Sequence, residues 1–407
     1  MRQATVLSEF PDDRVLPADE VSLHLVGDEG ILFDSRRQTV FGTNATATLI
    51  WCLLAEGVPL PEIAEILARR GGVLPRTAHK FLREAIRRWR AFGLLEGSPA
   101  PDPPSPFSSF NLPPASVAPR AHDDLPPSAM HRTYTILESS FGLGFPSAEV
   151  HAAVAPLLDH LSTAEPSTRQ ISLSLVETDD GFALHAGDVV LERCAELHRV
   201  APMILAVIMA IAIRSSGGLC AVHASAVGHR DKTALLVGEA GAGKSTLAAA
   251  AAASGFCHLA DDTVVLERAS LAVRPVPSPP CIKEGAWPVL AERLHGLYDL
   301  PVHVRLDGRR ARYVPRSWLP RGIEANGSAN TTCAVFPTYH PRAATKLHAM
   351  TTAEAVRALL PHVFVLDGGL GRQDIDDLIA WISDVPCFAL PLSSLGRGVA
   401  ALWGLCR

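Results

Sequence analysis

The stretch Gly238-Glu-Ala-Gly-Ala-Gly-Lys244-Ser245-Thr246 narrows more than any other what this chain can fold into. It has the spacing glycine, four residues, then Gly-Lys-Ser/Thr. A β-like run, Thr233 to Val237, precedes it, and an alanine-rich helical run, Leu247 to Ala253, follows. A strand that turns through glycines into a helix N-terminus aims several backbone N–H groups at one point, and the helix dipole adds positive potential there. Glycine lets the backbone curl tightly without Cβ clashes. The pattern predicts a polyphosphate cradle from Gly238, Glu239, Ala240, Gly241, Ala242 and Gly243, with Thr246 closing the motif. In such a loop Lys244 reaches the outer phosphates and the Ser245 hydroxyl ligates Mg²⁺, so the expected ligands are ATP and Mg²⁺.

At 407 residues the chain has room for two to three domains of roughly 100–200 residues. A hydrophobic fraction of 48% supports packed cores, and a net charge of −5 argues against a nucleic-acid binder. The cysteines, at 52, 194, 220, 257, 281, 333, 387 and 406, form no Cys-x-x-Cys pair, so neither zinc spacing nor a disulfide framework is indicated. Met1 to Arg14 lacks an apolar signal core. Ala201 to Ile213 is continuously apolar but shorter than the about 20 residues a bilayer needs, and reads as a buried helix. The expectation is a cytoplasmic protein with neither a membrane nor a nucleic-acid partner.

Proline density between Ser98 and Pro127 prevents helix and sheet ladders and predicts a linker. Before it, Ser22 to Phe41 alternates and turns like a hairpin. Three helices follow, one opening at Thr43 or Asn44, one at Pro61, and one over Arg76 to Phe92 with Phe81, Leu82, Ile86 and Trp89 at helical spacing. That order suggests a winged helix. After the linker, Tyr134 to Phe145 and Ile171 to Glu192 read as strands and Leu197 to Arg214 as the apolar helix. The expected domains are 1–97, a linker over 98–130, a small α+β segment over 131–218, and an α/β catalytic domain over 219–407.

Two carboxylates, Asp261 and Asp262, open a β-branched run just after the loop's helix. Burying such a pair without a cation is costly, and beside a nucleotide one can hold Mg²⁺ while the other takes a proton from an attacking hydroxyl. His223 lies on the run before the loop. This ordered set resembles the catalytic core of HPr kinase/phosphorylases, closest to the branch associated with peptide modification. The likeness extends through Pro280-Cys-Ile-Lys283-Glu284 and Ala334-Val-Phe-Pro337, over roughly 220 to 395. It implies that Asp261 is the catalytic base, that His223 orients it, that Ser245 and Asp262 serve the metal, and that Lys244 serves catalysis. Where those kinases carry glutamate after the loop serine, this chain has Thr246, which separates its substrate from HPr.

The N-terminal unit, about 20 to 97, is similar to PqqD-like peptide-recognition domains of ribosomal peptide biosynthesis. The hairpin, Leu54-Ala-Glu-Gly57, Glu62-Ile63 and the helix order carry that likeness. It implies that a leader peptide adds as a strand along Thr39, Val40 and Phe41, a mode in which main-chain hydrogen bonds give affinity. Arg76, Lys80, Arg83, Arg87 and Arg88 would attract acidic residues of that leader. The fold class expected is therefore an α/β P-loop kinase core of HPr-kinase type behind a winged-helix PqqD-like domain. The expected function is ATP-dependent phosphorylation of a Ser/Thr hydroxyl on a precursor peptide, with self-association left open. Three alternatives stand beside it: an ATPase or switch using Asp367 after Val363-Phe-Val-Leu as a Walker B strand, a kinase of a small hydroxylated molecule, and a nucleotide-sensing adaptor.

Overall fold

The structure, a computed structural model, describes residues 14–98, 128–163, 170–320, 329–366 and 369–407. Most of the proline-rich linker (99–127) and Asp367 lie outside the described residues. Two compact units are present. The first combines the N-terminal residues with Thr352–Leu360 and Gly369–Ala380; the second holds the rest.

In the first unit, β1 (Val21–Val26), β2 (Glu29–Asp34) and β3 (Thr39–Thr43) form an antiparallel sheet in that order, which leaves β3 at an edge. Helices α1 (Ala45–Ala55), α2 (Leu60–Gly71) and α3 (Pro75–Ala91) follow. Asn44 caps α1 by accepting the Ala47 amide at 2.9 Å, and prolines sit in the first turns of α2 and α3, where their missing N–H costs nothing. Ala78, Leu82, Ile86 and Trp89 bury one stripe of α3, and Trp89 meets Trp51 edge to face at 5.0 Å. Phe81, expected on that stripe, is instead 42% exposed. Later segments complete this unit. His24 Nδ1 lies 2.5 Å from Asp376 on α9 (Arg372–Asp384), Gln38 exchanges two hydrogen bonds with the Leu370 backbone, and Arg357 on α8 (Thr352–Leu359) pairs with Glu29.

The second unit contains a five-stranded sheet in the order β4 (Met130–Ile136), β5 (Ser139–Phe145), β6 (Gln170–Thr178), β7 (Gly181–Ala186), β8 (Val189–Cys194). Helices α4 (Ala148–Leu158) and α5 (Leu197–Arg214) share its core. By length and composition α5 is apolar enough to cross a membrane, and 72% of it is buried inside the unit. Val265, Val276, Cys281 and Tyr313 join the same cluster, so residues 134–213 and the region after the glycine loop share one core.

A six-stranded sheet carries the loop. Its order is β12 (Cys257–Ala260), β10 (Ala224–His229), β11 (Lys232–Val237), β18 (Thr331–Tyr339), β21 (Cys387–Leu392), β19 (His348–Ala349). Strands β11, β18 and β21 run parallel. Helix α6 (Lys244–Ala253) leaves the loop, and its alanines let the sheet and α10 (Leu395–Leu405) approach closely; Leu247 and Ala248 to Ala252 are all buried. A second sheet, β14 (Val273–Pro275), β13 (Val264–Leu266), β9 (Cys220–Val222), β20 (Val363–Val365), and a third, β15 (Cys281–Lys283), β17 (Arg310–Tyr313), β16 (His303–Val304), complete the sheets, with α7 (Trp287–Ala291) beside the α6 core. The strand preceding Asp367 thus pairs antiparallel with β9 at the edge of a sheet other than the one holding β11.

Candidate functional site

Sheet register brings the chemistry together. The chain passes from β9 to β10 through His223, and from β12 to β13 through Asp261, Asp262 and Thr263. Val222 pairs with Val264, and Ala226 with Ala260. Both segments therefore leave one sheet for the next at the same level, which sets His223 opposite the acid pair. Ala224 pairs with Val237, so the loop starting at Gly238 opens at the same end. Gly243 (φ 99°) turns the chain into α6 in a conformation that L-residues with side chains rarely adopt.

Within this cluster His223 Nδ1 is 2.8 Å from the Asp262 carbonyl oxygen and 3.4 Å from its Oδ1. A carbonyl only accepts, so Nδ1 carries the proton and Nε2 is free to accept from Lys244 Nζ at 3.0 Å. Lys244 also donates to the Gly238 and Glu239 carbonyls at 2.6 and 2.9 Å. Burial lowers the His223 pKa, with Asp262 opposing, which fits this neutral tautomer. Burial likewise lowers the Lys244 pKa to about 8, with Asp262 and Asp261 pulling the other way.

The two aspartates differ in kind. Asp261 is 3% exposed. Its Oδ1 accepts from Ser225 Oγ at 2.9 Å and its Oδ2 from the Cys281 amide at 2.9 Å, and the Ser245 hydroxyl favours its charged form. Burial, then the Asp262 charge, raises its pKa, and those hydrogen bonds oppose the rise. The Asp262 side chain is 47% exposed, its backbone lies in the left-handed region (φ 71°), and it faces His223 on one side and the Arg305 guanidinium, at 3.9 Å, on the other. His223 therefore contacts Asp262, where the resemblance paired it with Asp261. The sequence reading did not name Ser225, the Cys281 amide or Arg305. Ser225 was findable, two residues beyond His223 on an extended run and so on the same face; Arg305 carries no local signal.

The acid pair opens on a cavity of about 590 Å³ whose lining includes Asp261, Asp262, Arg305, Tyr313 and one face of α5. The first unit has a groove of its own, about 610 Å³, between β3 and α3. Val40, Phe41, Ala47, Phe81, Glu84, Ala85, Arg88 and Phe92 are among the residues lining it, and the Phe41 and Phe92 rings pack at a tilt of 39°, 5.0 Å apart. Of the expected peptide contacts, Val40 and Phe41 line this groove, while Thr39 is buried. Of the expected basic residues Arg88 lines it, while Arg76, Lys80, Arg83 and Arg87 do not, because the stripe Ala78, Leu82, Ile86, Trp89 fixes the roll of α3 and brings Phe81, Glu84 and Arg88 to the groove.

Residues 29–95 match the family described as Coenzyme PQQ synthesis protein D (PqqD), so the N-terminal unit is built around a PqqD-like domain. Among solved structures, "TbiB1 in Complex with the TbiA(beta) Leader Peptide" is similar over 20% of this chain and 95% of its own, at 32% identity and a TM-score of 0.20. No curated protein matches the chain.

Proposed function

We propose that this protein is an ATP-dependent kinase that phosphorylates a Ser or Thr hydroxyl of a ribosomally made precursor peptide, whose leader the PqqD-like domain holds. The observation that carries the reading is the convergence of Lys244, His223 and the Asp261–Asp262 pair at the mouth of one glycine loop.

The residues fit a Mg-nucleotide. A Cβ on Gly241 would meet nothing within 4 Å, so that side of the loop is open, and α6 adds its N-terminal dipole. A buried carboxylate next in sequence to a second acid is an expensive arrangement that a divalent cation offsets. Bound Mg-ATP would supply the transferable phosphoryl group, the metal neutralising charge on its oxygens.

On their surroundings we assign the two aspartates the reverse of the roles that the resemblance implies. Asp261, with both oxygens engaged and its pKa raised, suits metal holding with Ser245; a proton competes with the cation there. Asp262 faces the cavity, and its partner His223 cannot take a second proton easily, so Asp262 accepts the proton of an incoming hydroxyl. Lys244, which donates to its loop carbonyls here, would hold the outer phosphates of a bound nucleotide and offset charge there.

The edge strand β3 and the aromatic groove beside it suit an extended peptide, which would gain main-chain hydrogen bonds and apolar pockets together. Holding the leader makes the acceptor intramolecular with the kinase site, so that site need not bind it tightly. The test is to incubate the full chain with Mg-ATP and the precursor peptide encoded beside its gene. The expected result is a phosphoryl gain in the peptide's mass; an unmodified peptide with intact leader would overturn the assignment.

A further inference from the structure

The cavity beside the acid pair has a lining of two kinds. Asp261, Asp262, Thr263, Ser278, Arg305 and Asp307, with Glu192, supply its polar groups; much of the rest of the lining is hydrocarbon. Helix α5 supplies that hydrocarbon through Pro202, Leu205, Ala206, Met209, Ala210 and Ile213. These recur at spacings of three and four residues, so they form a single helical stripe. Ala206 is exposed in the middle of an otherwise buried helix, which marks where the wall opens. About 590 Å³ is within the usual range for a ligand site, and such sites combine an apolar body with a few convergent polar groups.

We infer that α5 forms an acceptor pocket, so that the kinase takes hydroxyls flanked by an apolar side chain, which seats on the Leu205–Ala206–Met209 surface while the hydroxyl lies at Asp262. This rests on the kinase reading for its chemistry and on the cavity alone for its binding preference. An acidic flanking residue is disfavoured: it would lose water against alkyl groups, and Glu192, Asp262 and Asp307 outnumber the cation Arg305 in the lining.

The experiment uses the full chain with Mg²⁺ and a non-hydrolysable ATP analogue. Short labelled peptides without a leader, each with one serine flanked by Leu or by Asp, are titrated by fluorescence polarisation. Parallel reactions with Mg-ATP are read by mass. Leu-flanked peptides are expected to bind on the order of tenfold or more tightly than Asp-flanked ones. Met209→Glu and Ala206→Phe, one charging the wall and one filling the opening, are each expected to erase that preference. Nucleotide affinity of each variant reports its fold, and Ala206→Phe, at an exposed position, stands in if Met209→Glu does not fold. No preference in the parent chain, or a preference that survives both variants, overturns the pocket. Preferential binding without phosphoryl transfer supports the pocket and sinks the kinase reading; transfer indifferent to the flanking residue does the reverse.

Discussion

At the scale of single residues, the site turns on the division of labour between neighbouring acids. If Asp262 takes the proton, Asp262→Asn should lower phosphoryl transfer by about 10²–10⁴-fold while nucleotide still binds. Asp261→Asn should act differently, raising the Mg²⁺ concentration needed for activity if Asp261 and Ser245 hold the metal as proposed. A Mg²⁺ titration of both variants separates them; identical behaviour would remove the assigned roles. Lys244 gives a pH signature. With its pKa at about 8, it is charged in the free protein below that pH and would bind a polyphosphate without taking up a proton. Above pH 8 binding must also protonate it, so nucleotide affinity should fall, by up to about tenfold per pH unit, until the higher pKa of the bound state is reached. Equilibrium titrations from pH 7 to 9.5 check this, and Lys244→Met should give weak binding with a flat profile.

At the scale of elements, α3 shows how a helix decides which of its side chains meet a ligand. Glu84, Ala85, Arg88 and Phe92 line the groove, whereas Lys80, Arg83 and Arg87 do not. Ala85→Glu should therefore weaken leader binding by about tenfold or more through a charge set among Phe41, Phe81 and Phe92, while Lys80→Glu should change it little. Polarisation with labelled leader decides, and equal losses would move the peptide off this groove. The same helix shows what was legible beforehand. Its existence, its ends and its buried Leu82, Ile86 and Trp89 follow from local periodicity and from proline in the first turn, as the hairpin and the loop-to-α6 transition follow from turn residues and glycines. Which flank of that stripe faces the groove is set by β3 and α1, and no local pattern encodes it. The acid pair and His223 were readable as residues, but their pairing depends on two chain crossings at one sheet level. Arg305 and the Cys281 amide arrive from a separate small sheet, a long-range placement beyond any spacing rule.

At the scale of the whole molecule, the N-terminal unit is not a clean module of sequence. Residues 352–360 and 369–380 belong to it, through Arg357 to Glu29, Leu370 to Gln38 and Asp376 to His24. Ala355, Val356, Ile375 and Leu378 in those segments are all buried. Deleting residues 1–98 would strip those segments of their partners and expose apolar surface, so lost activity after deletion would confound peptide capture with misfolding. Competition in the intact chain avoids this. If the groove captures the leader and the catalytic site sees the acceptor only through that tether, free leader added in excess should slow phosphorylation of the full precursor, because it abolishes the gain in effective concentration. A leaderless acceptor peptide, which never used the tether, should react at its own slow rate whether or not free leader is present. Initial rates for both substrates against leader concentration measure the effect, and the precursor's rate should fall toward the leaderless rate as the groove saturates. Inhibition of both substrates alike would mean that the leader blocks the catalytic site itself; inhibition of neither would mean that the PqqD-like domain does not deliver the substrate.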